Sequence, residues 1–341
     1  MDNYDLQQAA RLGTLSTLPT ELLTPERLTA RNAAGNTALH SAAKNGELRA
    51  LPPAVLTEEN LTLRNDSGYT PLHHAALGGH LDQIPAALLV DRLLGISSNS
   101  GYTVYHVAAA HGHLDQLPAA LLTPAVAVSK THLGNSLLHE AAEHGAVDRL
   151  PAAFLTPENL LLRNLGGETV LHVAAFNGHL DQFPPALLTA DALLQKTTAG
   201  DTVLHAAAIS GHLEQIPSAL LTHEHLVLAS KSGFTVIHAA AETGQLAKIP
   251  RERLTADLLL TRNDNGDTPL HAAAFEGHLD QVPLALLTLE NLNVRNYVGM
   301  SVGRNAVTRG FADQIPPQHR PRKRGPIGRF LERIGASRPP F

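Results

Sequence analysis

The chain has 341 residues, 43% of them apolar and 17% charged, with no cysteine and no tryptophan. Such a chain can bury an extensive core, which argues against wholesale disorder and favours two domains or a repeat array. The absence of cysteine excludes disulfide bonds, thiolate nucleophiles and cysteine-ligated metal sites. No apolar run approaches the roughly 18 residues that a membrane span needs, and the N-terminus lacks the plan of a secretory signal. We therefore expect a soluble, cytoplasmic protein, with the nucleus or delivery into another cell left open.

The formal net charge of −5 is divided unevenly along the chain. Residues 317–341 hold seven basic residues against Glu332 alone, whereas the preceding residues are acidic on balance. An acidic body and a basic end have different partners available to them, so the two parts are interpreted separately.

Glycine recurs at two positions, and proline at one, at a constant interval of 33 residues. One glycine series runs from Gly35 to Gly299 and the other from Gly13 to Gly310, and the prolines run from Pro19 to Pro316. A fixed period over nearly the whole chain indicates a repeat architecture. Each unit is too small to bury its own apolar face and is stabilised by stacking on its neighbours.

Residues 65–97 show the signals of one unit in chain order. Residues 65–68 have the composition of a turn, with Gly68 free to adopt positive φ. Thr70 then predicts a helix N-cap with Pro71 in the first turn, and Gly79 predicts a left-handed helix end. Because proline breaks a helix already under way, Pro85 predicts the start of a second helix.

A third helical signal follows in most units, and residues 156–160 are its clearest copy. Thr156 is a candidate cap, Pro157 suits the first helical position, and Glu158 favours the positive end of the helix dipole. Each unit is therefore predicted to hold two or three short helices and a turn.

Residues 68–80 (GYTPLHHAALGGH) and 266–278 (GDTPLHAAAFEGH) resemble the ankyrin repeat, a 33-residue unit with the pattern T-P-L-H-x-A. The resemblance implies an all-α solenoid of about ten units, made of short helix pairs with β-turn tips. We expect an atypical N-terminal capping repeat in 1–31, eight repeats in 32–295, an atypical C-terminal capping repeat in 296–316 and a basic, flexible tail in 317–341. The leucine–proline or isoleucine–proline step in almost every unit departs from the uninterrupted second helix of that family.

Twenty histidines raise the question of a metal or acid–base site. Most recur once per unit, so equivalent rings lie too far apart to share a zinc ion, and we expect them to hydrogen-bond locally or to a neighbouring unit. The sequence from His139 to His144 places its second histidine one residue too late for H-E-x-x-H, about 100° around the helix. Residues 222–225 (THEH) are interpreted as a solvated helix start.

No phosphate loop, nucleophile elbow or dinucleotide fingerprint is found, so we predict no catalytic, cofactor-binding or metal-binding residues, no small-molecule substrate and no enzymatic activity.

Two rows of residues vary while the repeat frame is kept. The turn row directly follows the turn glycine, and the helix row directly follows the alanine pair of the first helix; in ankyrin repeats such rows line the concave face and contact partners. The large apolar members of these rows are the candidate partner-binding residues: Tyr69, Leu77, Tyr102, Phe176, Ile209, Phe234 and Phe275. Acidic members at Glu168, Asp201 and Asp267 favour a partner with positive charge. We predict a monomeric, non-catalytic scaffold for a protein partner, while some of these rings could instead pack as peripheral core.

The basic end has three competing interpretations. Its candidate anion-contacting residues are Arg320, Arg322, Lys323, Arg324, Arg329 and Arg333, and the apolar residues among 327–334 fall on one helical face. The segment could dock back on the acidic body, bind nucleic acid or an anionic membrane, or act as a targeting signal such as one for nuclear import. The second of these gives the alternative function, an adaptor tethered through its tail.

Overall fold

The computed structural model describes residues 3–320, where the regular elements are helices and the only β-structure is a few isolated bridges. One long α-helix recurs with the period of the sequence. The long helices are Asn3–Leu12, Ala38–Asn45, Pro71–Gly78, Val104–Ala110, Leu137–His144, Val170–Asn177, Val203–Ser210, Val236–Glu242, Pro269–Glu276 and Val302–Arg309.

The second half of each unit contains 3-10 turns and, in most units, a short α-helix. The 3-10 turns before the periodic proline are Leu15–Thr17, Leu48–Ala50, Leu81–Gln83, Leu114–Gln116, Val147–Arg149, Leu180–Gln182, Leu213–Gln215, Leu246–Lys248, Leu279–Gln281 and Ala312–Gln314. Those after it are Thr20–Leu22, Pro53–Val55, Ala86–Leu88, Ala119–Leu121, Ala152–Phe154, Pro185–Leu187, Ser218–Leu220, Arg251–Arg253, Leu284–Leu286 and Pro317–His319. The short α-helices are Pro25–Leu28, Glu58–Leu61, Asp91–Leu94, Pro124–Ala127, Pro157–Leu160, Ala190–Leu193, His223–Leu226, Ala256–Leu259 and Leu289–Asn293.

The long helix begins and ends where its sequence predicts. Thr70 is the N-cap of Pro71–Gly78, and the backbone N–H of Thr70 donates to Nδ1 of His73 at 3.2 Å, which closes a reciprocal capping box. At the other end, Gly79 adopts φ of +75° and its N–H donates to the Ala75 carbonyl. The short helix Pro157–Leu160 is likewise capped by Thr156, whose hydroxyl accepts from the Asn159 N–H at 3.2 Å.

The second helix predicted to begin near Pro85 is a 3-10 helix of one turn, Ala86–Leu88, for which Pro85 is the N-cap residue. Ile84, the residue before proline, is extended with ψ of 135°, and Pro85 itself has ψ of 129° and precedes a 3-10 turn of three residues. Proline disfavours helical geometry in the residue before it and has no N–H for an intrahelical bond. The chain therefore extends at each periodic proline, and one tight turn forms on either side.

The described chain divides into two bodies by the density of its internal contacts. The N-terminal body contains the residues up to Leu221 together with Ala229–Lys231, and the C-terminal body contains Thr222–Leu228 and the residues from Ser232 onward. Within each body, the long helices of successive units pack side by side. The alanine pairs at their centres, such as Ala75 and Ala76, have no exposed surface, so the helices approach closely and bury a continuous apolar core.

Side-chain hydrogen bonds also connect each unit to the next. In the N-terminal body, Nε2 of His73 lies 3.0 Å from the Tyr102 carbonyl of the next unit. Gln116 reaches back to the preceding unit, where its amide donates to the Gly79 carbonyl at 2.8 Å and accepts from the Leu81 N–H at 2.9 Å. Apolar packing alone would allow one unit to shift along its neighbour. These paired hydrogen bonds fix the position of each unit relative to the next.

Candidate partner-binding surface

The helix row presents large apolar side chains at the ends of the long helices. Phe176 is 55% exposed and Ile209 is 44% exposed, and both lie in the N-terminal body on neighbouring helices, Val170–Asn177 and Val203–Ser210. The alanines directly before them, Ala175 and Ala208, are fully buried. The last turn of each helix thus anchors on its alanine pair and points the next side chain outward. Leu77 occupies the same row and is half-buried.

The turn row packs more closely on the protein than the helix row does. Tyr69, Tyr102 and Phe234 are half-buried. Each ring lies against the histidine four residues later in its own unit, with ring centroids 5.2 Å apart for Tyr69 and His73, 6.2 Å for Tyr102 and His106, and 5.4 Å for Phe234 and His238. Each ring therefore packs against the first turn of its own helix and is only partly accessible.

Two of these rings also share an electrostatic environment. Burial raises the pKa of the Tyr69 phenol, and it raises that of Tyr102 further because the carboxylates of Glu140 and Glu143 lie near it. Both phenols are consequently neutral hydrogen-bond donors over the physiological pH range.

Phe275, in the helix row of the C-terminal body, has part of its ring covered by an arginine side chain. Its ring is 43% exposed, and the Arg309 guanidinium carbon lies 3.9 Å from the ring centroid. Arg309 also donates through Nε to the Phe275 carbonyl at 3.2 Å. This cation–π contact uses one face of Phe275 within the protein, so Phe275 offers less free surface than its spacing predicts.

The predicted tail residues fall almost entirely outside the described residues. Arg320 is described, and its guanidinium donates to the backbone carbonyls of Ile315 and Asp313. It thereby closes the last described turn. Arg322, Lys323, Arg324, Arg329 and Arg333 lie outside residues 3–320.

Sequence reasoning missed an exposed apolar pair at the turn tips. Leu133 is 63% exposed and Leu165 is 74% exposed, and the Leu165 N–H donates to the Leu133 carbonyl at 2.9 Å. The positions equivalent to Leu133 in the preceding units are Ser67 and Ser100, and those equivalent to Leu165 are Asn99 and His132, all of them polar. The signals that could have identified this patch are a leucine directly before the turn glycine Gly134 and a leucine directly after the turn asparagine Asn164.

The recurrent histidines are structural in the described range, as predicted. Nδ1 of His139 accepts from the Ser136 N–H at 3.1 Å and Nε2 lies 3.2 Å from the Glu168 carbonyl, so His139 is not available to an H-E-x-x-H site. Burial lowers the pKa of His40, His73 and His139 to about 4 in each case. The carbonyl can only accept, so Nε2 carries the proton and these rings are neutral. His113 and His179, of the second series, lie 2.8 and 2.9 Å from carbonyls of the preceding unit.

Comparison with known proteins supports this arrangement of units. A family model described as ankyrin repeats (3 copies) matches residues 6–88, 54–124 and 171–250, and the single ankyrin repeat model matches residues 265–297. A comparison with curated proteins gave no match. Among the described residues, no helix has the length and apolar character needed to cross a membrane. Since the matched segments cover more than half of the sequence, the chain belongs to the ankyrin repeat family, an all-α solenoid fold whose members typically act as non-catalytic mediators of protein–protein interactions.

Proposed function

We propose that this chain is a non-catalytic scaffold that binds a protein partner through its turn row and helix row. The observation that carries the proposal is the exposure of Phe176 and Ile209 on neighbouring long helices of the N-terminal body. Large apolar side chains that stand together on a polar surface are the usual anchors of an interface. The repeat frame holds them in place before binding, so little conformational entropy is lost when a partner docks.

Acidic side chains on the units that carry these anchors favour a basic partner. Glu168 is exposed on the turn row of the same unit as Phe176, and Asp201 follows in the next unit. Acidic groups on the same units as apolar anchors attract a partner with basic side chains and accelerate its association at low salt. The chemistry of the site therefore favours a partner with an apolar contact bordered by lysine or arginine.

The test uses the full chain to capture and identify a partner, followed by affinity measurement with Phe176→Ala and Ile209→Ala. Loss of an aromatic anchor typically costs about 2 kcal/mol, so we expect binding roughly 30-fold weaker for Phe176→Ala. Thermal stability should stay nearly unchanged because the side chain is exposed. The matched control is Leu161→Ala, an apolar side chain that is 40% exposed and lies outside both rows. Equal loss of binding in the control, or a large fall in stability of Phe176→Ala, contradicts the proposal.

A further inference from the structure

Three side chains with metal-ligating atoms meet on the helix Leu137–His144 of the N-terminal body. Glu140, Glu143 and His144 are spaced at i, i+3 and i+4, which places them on one helix face. One carboxylate oxygen of each glutamate and one ring nitrogen of the histidine all lie within 4.8 Å of one another. The arrangement is distinct from H-E-x-x-H, because His139 points into the unit interface and takes no part.

The burial of Glu140 is the unusual feature of this cluster. Glu140 has 0% exposure, and its Oε1 accepts from the Asn135 amide at 3.0 Å. Its Oε2 is buried and has no hydrogen bond of normal geometry within residues 3–320; the Tyr102 hydroxyl interacts with the carboxylate, which opposes part of the rise in the pKa of Glu140 that burial causes. A buried carboxylate oxygen without a well-formed hydrogen bond costs free energy, which a bound cation would offset.

The fold has no need of a carboxylate at this position. The residues that occupy the equivalent place in the other full units are Ser41, His74, Val107, Val173, Ala206, Ala239 and Ala272. Neutral and mostly small or apolar side chains therefore satisfy the same packing. Glu140 is the acidic exception, and Glu143 and His144 accompany it on the same helix face.

His144 is oriented as a metal-binding histidine would be. Its Nδ1 lies 3.0 Å from the Glu140 backbone carbonyl. Because a carbonyl can only accept, Nδ1 carries the proton and Nε2 keeps a free lone pair. Histidine ligands generally donate their second ring N–H to a carbonyl or carboxylate, which fixes the ring and raises its basicity. The His111 ring of the preceding unit lies beside it, with ring centroids 5.6 Å apart.

We propose that Glu140, Glu143 and His144 bind one divalent transition-metal ion, with Zn²⁺ the best match to the donor set. Zn²⁺ accepts carboxylate and imidazole ligands at roughly 2.0–2.2 Å and is usually four-coordinate. Glu143 and His144 are exposed, so modest rotation of these two side chains can bring the donor atoms around an ion next to the buried Glu140. The fourth position is left for water. Mg²⁺ is a poorer match because it prefers an all-oxygen, largely hydrated shell.

The test titrates Zn²⁺ into the full chain by isothermal calorimetry and compares Glu143→Gln, His144→Gln and the double variant. Both side chains are exposed, so the variants should fold, which circular dichroism verifies. Because the chain holds 20 histidines and can bind zinc weakly elsewhere, His132→Gln, which changes an exposed turn residue, is the matched control. We expect one site of high affinity in the wild type and in the control, weakened at least tenfold in each single variant and lost in the double variant.

Two further measurements make the result independent of calorimetry. Zn²⁺ should raise the thermal midpoint of the wild type but not of the double variant, since only the folded wild type would bind it tightly. Co²⁺ should give the visible absorption of a low-coordinate site in the wild type alone. The same zinc affinity and stoichiometry in the wild type and the double variant would overturn the proposal.

Discussion

The buried histidines predict that acid destabilises this repeat array, and His73 is the side chain that isolates the effect. His73 is completely buried, and burial lowers the pKa of its ring to about 4, against about 6.5 in an unfolded chain. Below pH 6.5 the unfolded chain therefore binds a proton that the folded chain does not. Stability is fully present above pH 6.5 and is lost as the pH falls towards 4.

The magnitude follows from the interval between the two pKa values. Each pH unit in that interval is worth about 1.4 kcal/mol, so His73 alone should cost about 2 kcal/mol between pH 6.5 and pH 5. His40 and His139 have the same lowered pKa of about 4 and should contribute similarly. Burial raises the pKa of Glu140, which acts in the opposite direction and offsets part of the loss as this carboxyl becomes protonated.

The perturbation is His73→Gln, because glutamine can accept from the Thr70 N–H and donate to the Tyr102 carbonyl without titrating. Urea unfolding followed by circular dichroism at pH 7 and pH 5 measures the change. We expect the variant to lose about 2 kcal/mol less than the wild type over this range. The control is His132→Gln, an exposed turn residue, which should keep the wild-type pH dependence. If His73→Gln and the wild type lose the same free energy, burial of a neutral ring is not the source of acid sensitivity.

Two further substitutions test contacts between units of the N-terminal body. Gly145 has φ of +70°, and an added Cβ would lie 2.8 Å from Nε2 of His179, whereas Gly211 has φ of +96° with no atom within 4 Å. Both substitutions place a Cβ on a backbone in the left-handed region, but only Gly145→Ala also adds a steric clash. Gly145→Ala should therefore lower the free energy of unfolding by about 1 kcal/mol more than Gly211→Ala does. Equal losses would contradict this expectation. Gln116→Ala should cost about 2 kcal/mol by chemical denaturation because two hydrogen bonds to the preceding unit are lost, and a loss below about 0.5 kcal/mol would show that water replaces them.

The long helices were predictable because their signals are local. Thr70, Pro71 and Gly79 act on backbone groups within a few residues of themselves, so sequence order alone indicates where the helix begins and ends. The segment around Pro85 was less predictable because proline constrains two residues at once. The choice between one α-helix and two 3-10 turns then depends on how Ile84 and the flanking leucines pack.

The sequence predicts which residues form the candidate binding surface, but it does not predict how exposed each side chain is. The spacing of Phe176 and Phe275 is equivalent, yet only Phe275 is stacked against an arginine, which comes from the following unit. Tyr69 is half-buried and contacts the His73 ring of its own unit edge-on, a contact that residue spacing alone does not show. The cluster of Glu140, Glu143 and His144 could have been found from its i, i+3, i+4 spacing, but its buried, unpaired oxygen required coordinates.

The histidine contacts explain why the turn row is free to vary. Nε2 of His73, His139 and His271 approaches the backbone carbonyl of Tyr102, Glu168 and Met300, respectively, at 3.0 to 3.2 Å. Every residue has that carbonyl, so the link between units is indifferent to the side chain that follows the turn glycine. An aromatic, an acidic and a thioether side chain can thus occupy equivalent places without loss of the link. The same hydrogen bonds that hold each body together therefore leave its exposed row open to change, which is the property that a binding surface requires.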